Sequence, residues 1–271
     1  MNIIVCVKHV PDATADRHFE SDKTVDRVGV DGLLSELDEY AVEQALQIKE
    51  KADGDEVTVT ALSVGPEKAV DAVRKALQMG ADQGIHVVDD AIAGSDYAAT
   101  SLVLAKAIEK AGSALSDSGG QVDLIVCGMA STDGAGMVVP AMLAERLDLP
   151  QVTMASVIES QGDQVRIKRD GDTATEVIGA TMPLVLSVTD QSGEARYPSF
   201  KGIMAAKKKP LDTYSLSDLG VDAGQVGASV SWTEVQDTAA RPPRTAGEVV
   251  TDEDGSGATA LTEFLAAKKF I

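Results

Sequence analysis

The chain has 271 residues, 44% of them hydrophobic, which is enough to bury a sizeable core. Acidic residues number 43 against 24 basic ones, a formal net charge of −19, so nucleic acid is excluded as an expected partner and a salt-loving source is favoured. The sequence contains no run of eighteen apolar residues, so no membrane span is predicted. The apolar start is typical of a first strand and not of a signal peptide. We therefore expect a cytoplasmic protein.

Alternating strands and helices occupy the first half of the chain. The apolar run at 2–8 predicts a strand buried on both faces, and a polar excursion at 11–35 has room for a short hairpin. Further strands are predicted at 57–64, 85–88 and 122–127, and helices at 36–50, 67–79, 96–111 and 137–147, with a loop at 116–120. This order predicts an α/β fold with a doubly wound, mainly parallel, Rossmann-like sheet of the adenine-nucleotide-hydrolase-like type.

The pattern changes after residue 150. Segments 151–159, 164–169 and 173–181 predict an antiparallel meander with tight polar turns, and 184–188 predicts one more core strand. Residues 210–258 have only short apolar runs and predict an extended segment with little core of its own, followed by a helix at 259–271. A tail of this length is uncommon inside a compact monomer, so we expect a partner chain to cover it.

A glycine-rich segment, CGMASTDGAG (Cys127–Gly136), joins the predicted strand at 122–127 to the next helix. In open parallel sheets, ligands bind at the carboxyl ends of the strands where the winding reverses, which we expect between the strands at 2–8 and 122–127. Gly128, Gly134 and Gly136 permit backbone conformations closed to other residues and let a ligand approach the main chain.

The helix after this segment is expected to begin near Gly136–Met137, because Pro140 fits only a first turn. Free amides there attract anions and predict a phosphate site, with hydroxyl donors from Ser131 and Thr132. Asp133 either caps the helix or accepts from a ribose or base. The alternative is a flexible turn with Asp133 as its N-cap, and the segment matches neither G-x-G-x-x-G nor a P-loop.

Side chains suited to catalysis are scarce. His86 lies in a predicted strand and is interpreted as structural, whereas His9 lies at the mouth of the expected crevice. Cys6 and Cys127 have no metal spacing and are interpreted as buried free thiols. Because no hydrolase, zincin or paired-carboxylate pattern occurs, we expect no catalytic residues, no metal site and no enzyme activity from side chains.

Six segments in order resemble the β subunit of electron-transfer flavoproteins, including FixA-like members, over nearly the whole chain. They are IIVCVKHVPD (3–12), DEYAVEQALQIKE (38–50), ALQMGADQGIHV (76–87), DLIVCGMASTDGAGMVVPAMLAERLDLPQ (123–151), ARYPSFKGIMAAKKKP (195–210) and RPPRTAG (241–247). The resemblance implies a heterodimer with an FAD-bearing α subunit, and an electron shuttle between flavin dehydrogenases and a quinone-linked oxidoreductase. It also implies AMP in this subunit, or a second FAD in electron-bifurcating relatives.

Carried over by position, the resemblance places nucleotide contacts at the ends of strands, at the start of the first helix and in the glycine-rich segment. These positions are Cys6, Ser35, Glu36, Leu37, Asp38, Val64, Gly128, Met129, Ala130, Ser131, Thr132, Asp133, Gly134, Ala135, Gly136, Met137, Val138 and Val139. Cys6 and Val64 would contact the adenosine mainly through their backbone. Many relatives have Asn-Pro where this chain has Ser-Glu-Leu-Asp at 35–38.

The resemblance also places a partner-recognition segment after the last core strand. Its residues are Arg196, Tyr197, Phe200, Lys201, Ile203 and Met204. Many relatives have Leu at position 200 and Pro at 201. We interpret Phe200 as an exposed knob that fills a pocket while neighbouring charges steer the partner; the alternative is a solvated basic loop with Phe200 buried.

These interpretations divide the chain into three parts. Residues 1–190 form a nucleotide-binding α/β domain that includes the meander at 151–181, residues 191–209 a recognition loop, and residues 210–271 an arm that contacts the α subunit. A competing hypothesis is a stand-alone nucleotide-binding protein of the stress-protein type, which shares this class of sheet. The meander and the long arm favour the electron carrier, since a small stand-alone binder needs neither.

Overall fold

The computed structural model describes residues 1–52, 56–117, 119–245, 247, 249–252 and 254–271. Ser118 of the predicted loop at 116–120 and Ala246 of the segment 241–247 lie outside the described residues. The strands are β1 (Asn2–Cys6), β2 (His9–Pro11), β3 (Gly32–Leu34), β4 (Thr58–Val64), β5 (Gln83–Val87), β6 (Leu124–Gly128), β7 (Gln151–Gln161), β8 (Gln164–Asp170), β9 (Thr175–Thr181), β10 (Leu184–Val188) and β11 (Leu211–Tyr214). The helices are α1 (Glu36–Lys51), α2 (Val70–Met79), α3 (Tyr97–Ser116), α4 (Val139–Leu147), α5 (Phe200–Ala206) and α6 (Gly257–Ala267).

One nine-stranded sheet organises the chain, in the order β11-β5-β4-β1-β6-β10-β7-β8-β9. The pairs from β11 to β7 are parallel, and β7, β8 and β9 continue the sheet as an antiparallel meander. The winding runs from β1 outward to β4 and β5, then returns to β6 on the other side of β1. The predicted α/β class, the meander and the neighbouring of β1 and β6 are therefore confirmed.

Both faces of the sheet are covered, as its apolar strands require. Alternate residues of β1 divide between two core layers: Ile3 and Val5 pack with α1 and α2, and Ile4 with Cys6 packs against α3 and α4. Strand β10 is buried at every position, as expected for a strand between two parallel neighbours. The core thereby fixes the strand ends that frame the crevice.

Local sequence signals explain where the helices begin and end. Acidic residues in the first turn of α1 and lysines in its last turn suit the helix dipole. Asp96 caps α3 by accepting from the Ala99 amide at 3.0 Å. Helix α2 ends at Gly80, whose φ of 147° few other residues would adopt.

The expectation of a poorly packed tail from residue 210 is wrong for its first part. Strand β11 pairs in parallel with β5 at the edge of the sheet, and Leu216, Leu219, Val221 and Val226 are buried in the core layer of α3 and α4. A short edge strand pairs through its main chain, so its side chains carry little signal in the sequence. The scattered leucines and valines show no periodicity, so they did not predict a buried segment either.

The chain divides into two compact units, Met1–Asp237 and Thr238–Ile271. The second unit contains α6, which confirms the predicted terminal helix and has no buried residue. Its large apolar side chains, among them Leu261, Phe264 and Phe270, are exposed. Within the described residues, no helix combines the length and hydropathy needed to span a membrane.

Candidate functional site

The candidate site lies where the winding of the sheet reverses, at the carboxyl ends of β1 and β6. Cys6 is the last residue of β1, Val64 of β4 and Gly128 of β6, so three neighbouring parallel strands end at the same edge of the sheet. The two strands on either side of the reversal are direct parallel neighbours. This is the position at which open α/β sheets bind ligands.

The loop after β6 spans residues 129–138 and is exposed at Gly134, Ala135 and Met137. It is tied down at its start by the Met129 amide, which donates to the Val188 carbonyl at 2.9 Å, and within itself by Ala135, which donates to Ser131 at 3.0 Å. Helix α4 begins at Val139, later than the predicted start near Gly136–Met137, with Pro140 in its first turn. Gly134 and Ala135 are exposed, but their amides already donate within the loop, to Asp133 Oδ1 at 2.7 Å and to the Ser131 carbonyl at 3.0 Å.

The glycines of this loop are required for space and not for unusual backbone angles, which corrects the sequence interpretation. The left-handed residues are Ala135 (φ 48°) and Met137 (φ 56°). A Cβ on Gly136 would lie 2.2 Å from Tyr97 Cζ, and one on Gly128 would lie 2.6 Å from Asp38 Oδ1. Tyr97, which donates to the Gly134 carbonyl at 2.8 Å, and helix α1 therefore approach the loop as closely as glycine allows.

Asp133 is an anchor of the loop and not the cap of the helix. Its side chain is only 2% exposed; Lys8 Nζ lies 2.9 Å from Oδ2, and Arg27 contacts the same oxygen. The Gly134 amide donates to Oδ1 at 2.7 Å. Burial alone would raise the pKa of Asp133, but the charge of Lys8 and the hydrogen bonds from Ser131 and Arg27 outweigh it and hold that pKa well below its ordinary value.

The start of α1 forms the opposite wall of the crevice. The Ser35 amide donates to the Lys8 carbonyl at 2.9 Å, and Ser35 Oγ accepts from the Thr132 amide at 3.3 Å. The buried Asp38 carboxyl accepts from the Lys8 amide at 2.9 Å. Burial raises the pKa of Asp38 to about 7 despite this hydrogen bond. Residues 35–38 and 128–134, two of the segments in which nucleotide contacts were predicted, are thus in direct contact.

Thr132 supplies a polar atom that the protein itself leaves unsatisfied. Its Oγ1 is buried and has no hydrogen-bond partner in the described structure. Such atoms are uncommon in folded proteins and often mark where a ligand completes the network. The Ser131 hydroxyl, by contrast, is hydrogen-bonded to Asp133, and its Oγ lies 3.4 Å from the Gly134 amide nitrogen.

Four residues that contact this loop were not predicted as site residues from the sequence. Lys8, Arg17, Arg27 and Tyr97 all contact it, Arg17 by donating to the Thr132 carbonyl at 3.1 Å. The two arginines lie in the polar excursion at 11–35, which has no periodicity and folds across the loop only in three dimensions. Basic residues spaced through a polar stretch of a strongly acidic chain were the one available signal.

The cysteines and histidines form no catalytic arrangement among the described residues. Cys6 and Cys127 are free and buried on neighbouring strands, as predicted, and hydrogen bonding to Cys6, together with burial, raises the pKa of the Cys127 thiol. His86 is buried in β5 with Nε2 3.3 Å from the Gly65 carbonyl oxygen, in keeping with a structural role. His9 lies in β2, where burial lowers its pKa.

The second predicted surface, at residues 196–204, contains the first part of the short helix α5, and its residues 196–199 precede that helix. Phe200 begins α5 and is 81% exposed, which excludes the alternative of a buried Phe200; Tyr197 is 92% exposed. Ile203 and Met204 are partly exposed beside them, and Lys201 projects from the same helix. Arg196 differs from the others, because its guanidinium is bound by Glu43 and Glu50 of α1.

Known proteins resemble this chain along its whole length. A model of the electron transfer flavoprotein domain matches residues 22–219. The electron transfer flavoprotein subunit beta of Mycobacterium tuberculosis (strain ATCC 25618 / H37Rv) is 42% identical over 273 aligned residues, covering 100% of this chain and 99% of the relative. The proteins of the same name from Thermoanaerobacterium thermosaccharolyticum and Megasphaera elsdenii are 36% and 35% identical and are covered completely, as is this chain.

Proposed function

We propose that this chain, which belongs to the electron transfer flavoprotein family and resembles its β subunits over its full length, works in a heterodimer with an α subunit and carries electrons through a flavin held by that complex. The observation that carries this proposal for the chain itself is the carboxyl edge of the sheet at the β1–β6 reversal. Its backbone-lined loop and its cations match the needs of a nucleotide phosphate.

The charge distribution supports an anionic ligand at this loop. In a chain of net charge −19, Lys8, Arg17 and Arg27 all gather around residues 132 and 133. The charge of Lys8 and the hydrogen bonds from Ser131 and Arg27 hold the pKa of Asp133 well below its ordinary value. The unsatisfied Thr132 hydroxyl provides a donor. These groups fit AMP, with the phosphate near the loop and the adenosine along the backbone of Cys6 and Val64.

In this proposal the nucleotide in the β subunit is structural and the flavin of the complex performs the redox chemistry. The residues of this chain hold the nucleotide, shape part of the surroundings of the flavin and present a docking surface; none of them donates or abstracts a proton in a catalytic step. The exposed apolar side chains of the second unit, such as Leu261 and Phe264, are suited to contact the α subunit.

The exposed patch at Tyr197, Phe200, Ile203 and Met204 is the proposed docking site for flavin dehydrogenases that reduce the complex. Aromatic side chains of this kind supply much of the energy of protein interfaces, and nearby lysines raise the rate of encounter with an acidic partner. A quinone-linked oxidoreductase is the proposed electron acceptor.

The decisive experiment is co-expression of this chain with the α subunit of the same organism, followed by mass spectrometry of the released small molecules. One FAD and one AMP per heterodimer is the expected result. Two FAD and no AMP would instead support an electron-bifurcating complex with flavin in this subunit. A colourless monomer that retains a nucleotide would overturn the electron-carrier proposal in favour of a stand-alone nucleotide-binding protein.

A further inference from the structure

Arg196 makes the densest set of hydrogen bonds of any side chain in the recognition segment. Its Nε donates to Glu43 Oε2 at 2.6 Å and Nη2 to Glu43 Oε1 at 3.0 Å, a two-point contact. The same guanidinium also donates to both oxygens of Glu50, and the Arg196 amide donates to Glu43 Oε2 at 3.1 Å. The start of the segment is thereby fixed to α1 in position and in orientation.

Glu43 gives this anchor a rigid base. The residue is only 5% exposed, and its carboxylate also accepts from Gln47 at 3.0 Å. Burial opposes ionisation of Glu43, but the hydrogen bonds and charge of Arg196 outweigh burial and lower its pKa; the same bonds lower the pKa of Glu50. Both carboxylates are therefore ionised at neutral pH, and removal of Arg196 would leave a buried charge without its partner.

A second cation holds the other end of the segment. Lys209 Nζ donates to the carbonyls of Leu77 at 2.9 Å and Ala81 at 2.6 Å, which lie at the C-terminal end of α2. Between the two anchors, α5 touches the backbone of α2, since a Cβ on Gly202 would lie 2.5 Å from the Gln78 carbonyl oxygen. The helix thus rests on α2 and is tied at both ends.

Such ties are needed because α5 is too short to be stable alone. It has seven residues, and isolated helices of that length do not form in water. None of its residues is fully buried, although Ala206 at its end packs against the core. Arg196, Lys209 and the contact at Gly202 therefore contribute strongly to the orientation of the exposed face of Phe200 and its neighbours.

We propose that Arg196 is a positioning residue for electron transfer. By binding Glu43 and Glu50 of α1 it holds α5 against α2, so that Phe200 faces the partner in the orientation needed for docking. This inference rests on the proposed role of the segment in docking a flavin dehydrogenase. It assigns Arg196 a role different from that of a steering charge, because its guanidinium is already engaged within the chain. Because the surface is already ordered, less conformational entropy is lost when the partner binds.

Hydrogen–deuterium exchange of the purified heterodimer tests the anchor without any partner. Arg196→Gln is expected to raise the exchange rate of the amides at 200–206 at least about tenfold while α3 and β6 stay unchanged. Arg196→Lys keeps the charge but loses the planar fork, so it should give an intermediate rate. The control is Lys201→Gln, an exposed change on the same helix, which should not alter exchange. Equal exchange in Arg196→Gln and wild type would overturn the proposal.

Steady-state reduction of the same variants tests the consequence, with the flavin dehydrogenase that reduces the wild-type complex fastest among those purified from the same source. Arg196→Gln is expected to raise KM for the complex about tenfold with kcat and flavin content unchanged. Full rescue by Arg196→Lys that disappears at high salt would identify a steering charge and overturn positioning. Faster exchange at 200–206 with no kinetic change in either Arg196→Gln or Phe200→Ala would refute the docking role of the segment itself.

Discussion

Two segments follow neighbouring parallel strands, and they turn opposite kinds of groups toward solvent. After β6, the loop at 129–138 buries its acidic side chain, Asp133, and leaves Gly134 and Ala135 exposed. After β10, the segment at 189–209 binds its partly exposed Arg196 to carboxylates of α1 and leaves Phe200 81% exposed. Both are held by ion pairs with the scaffold, but with the charges exchanged.

The exchange of charges follows from what each segment has to present. If the loop binds a phosphate, as proposed, it gains from having no free carboxylate, and Lys8 and Arg27 hold Asp133 inside. If the other segment docks on a protein, as proposed, it gains from exposed apolar side chains, and carboxylates of α1 hold its Arg196. In both cases an ion pair between a buried carboxylate and a partly exposed cation orients groups that do not belong to the pair.

The largest expected effect concerns the wall of the first segment. The pKa of Asp38 is raised to about 7 by burial, so between its ordinary value of 3.8 and about 7 the unfolded chain releases a proton that the folded chain keeps. Folding stability therefore falls as pH rises through this window. Asp38→Asn removes the titration and should stabilise the protein at pH 8 by on the order of 4 kcal/mol and hardly at pH 4.

Thermal melting of the heterodimer from pH 4 to pH 8 would measure this effect. Glu36→Gln, an exposed change in the same helical turn, serves as the control and should leave the pH profile unaltered. A parallel pH dependence in wild type and Asp38→Asn would show that this carboxyl is not the titrating group.

The next largest effect is expected on AMP affinity, which depends on the nucleotide loop and not on the recognition segment. Gly136→Ala forces a Cβ to within 2.2 Å of Tyr97, so the loop must move away from its exposed conformation. The Kd for AMP should rise about 50-fold in titration calorimetry of nucleotide-stripped heterodimer, from about 2.3 kcal/mol of overpacking. Gly112→Ala, where the added Cβ finds its nearest neighbour at 3.7 Å, is the matched control. An unchanged Kd would remove the loop from the site.

Phe200→Ala addresses the second segment in the same way. Loss of an exposed aromatic anchor should lower kcat/KM for reduction by the dehydrogenase about 30-fold, equivalent to about 2 kcal/mol, with AMP and flavin content unchanged. Val177→Ala, an exposed apolar change on the meander, is the control. Loss of flavin from Phe200→Ala would mean that the ring supports the fold and not the docking.

The smallest expected effect is electrostatic. Lys201 projects from α5 beside Phe200, and Lys201→Gln should lower kcat/KM about threefold at low ionic strength and not at all at high ionic strength, since exposed charges act on encounter and are screened by salt. Stopped-flow reduction at two salt concentrations measures this. A salt-independent loss would contradict steering and place Lys201 in direct contact.

Much of the architecture was predictable because its signals are local. The apolar runs at 2–8 and 184–188 predict buried strands, and the glycines and Pro140 locate a strand-to-helix turn, which places the ligand site once a parallel sheet is assumed. The exposed Phe200 was likewise expected. The start of α4 and the edge strand β11 were missed, since left-handed residues at Ala135 and Met137 and a four-residue strand carry no periodicity.

The sequence by itself determined the class of the fold, the position of the glycine loop and the composition of the recognition segment, because hydrophobic period and backbone chemistry act between residues close in the chain. Only the tertiary structure decided that Arg27 lies on Asp133, 106 positions away, that Tyr97 requires Gly136 to lack a side chain, and that Arg196 binds Glu43, 153 positions away. Ion pairs and steric contacts depend on distance in space, and that distance is set only when the sheet has brought remote segments together.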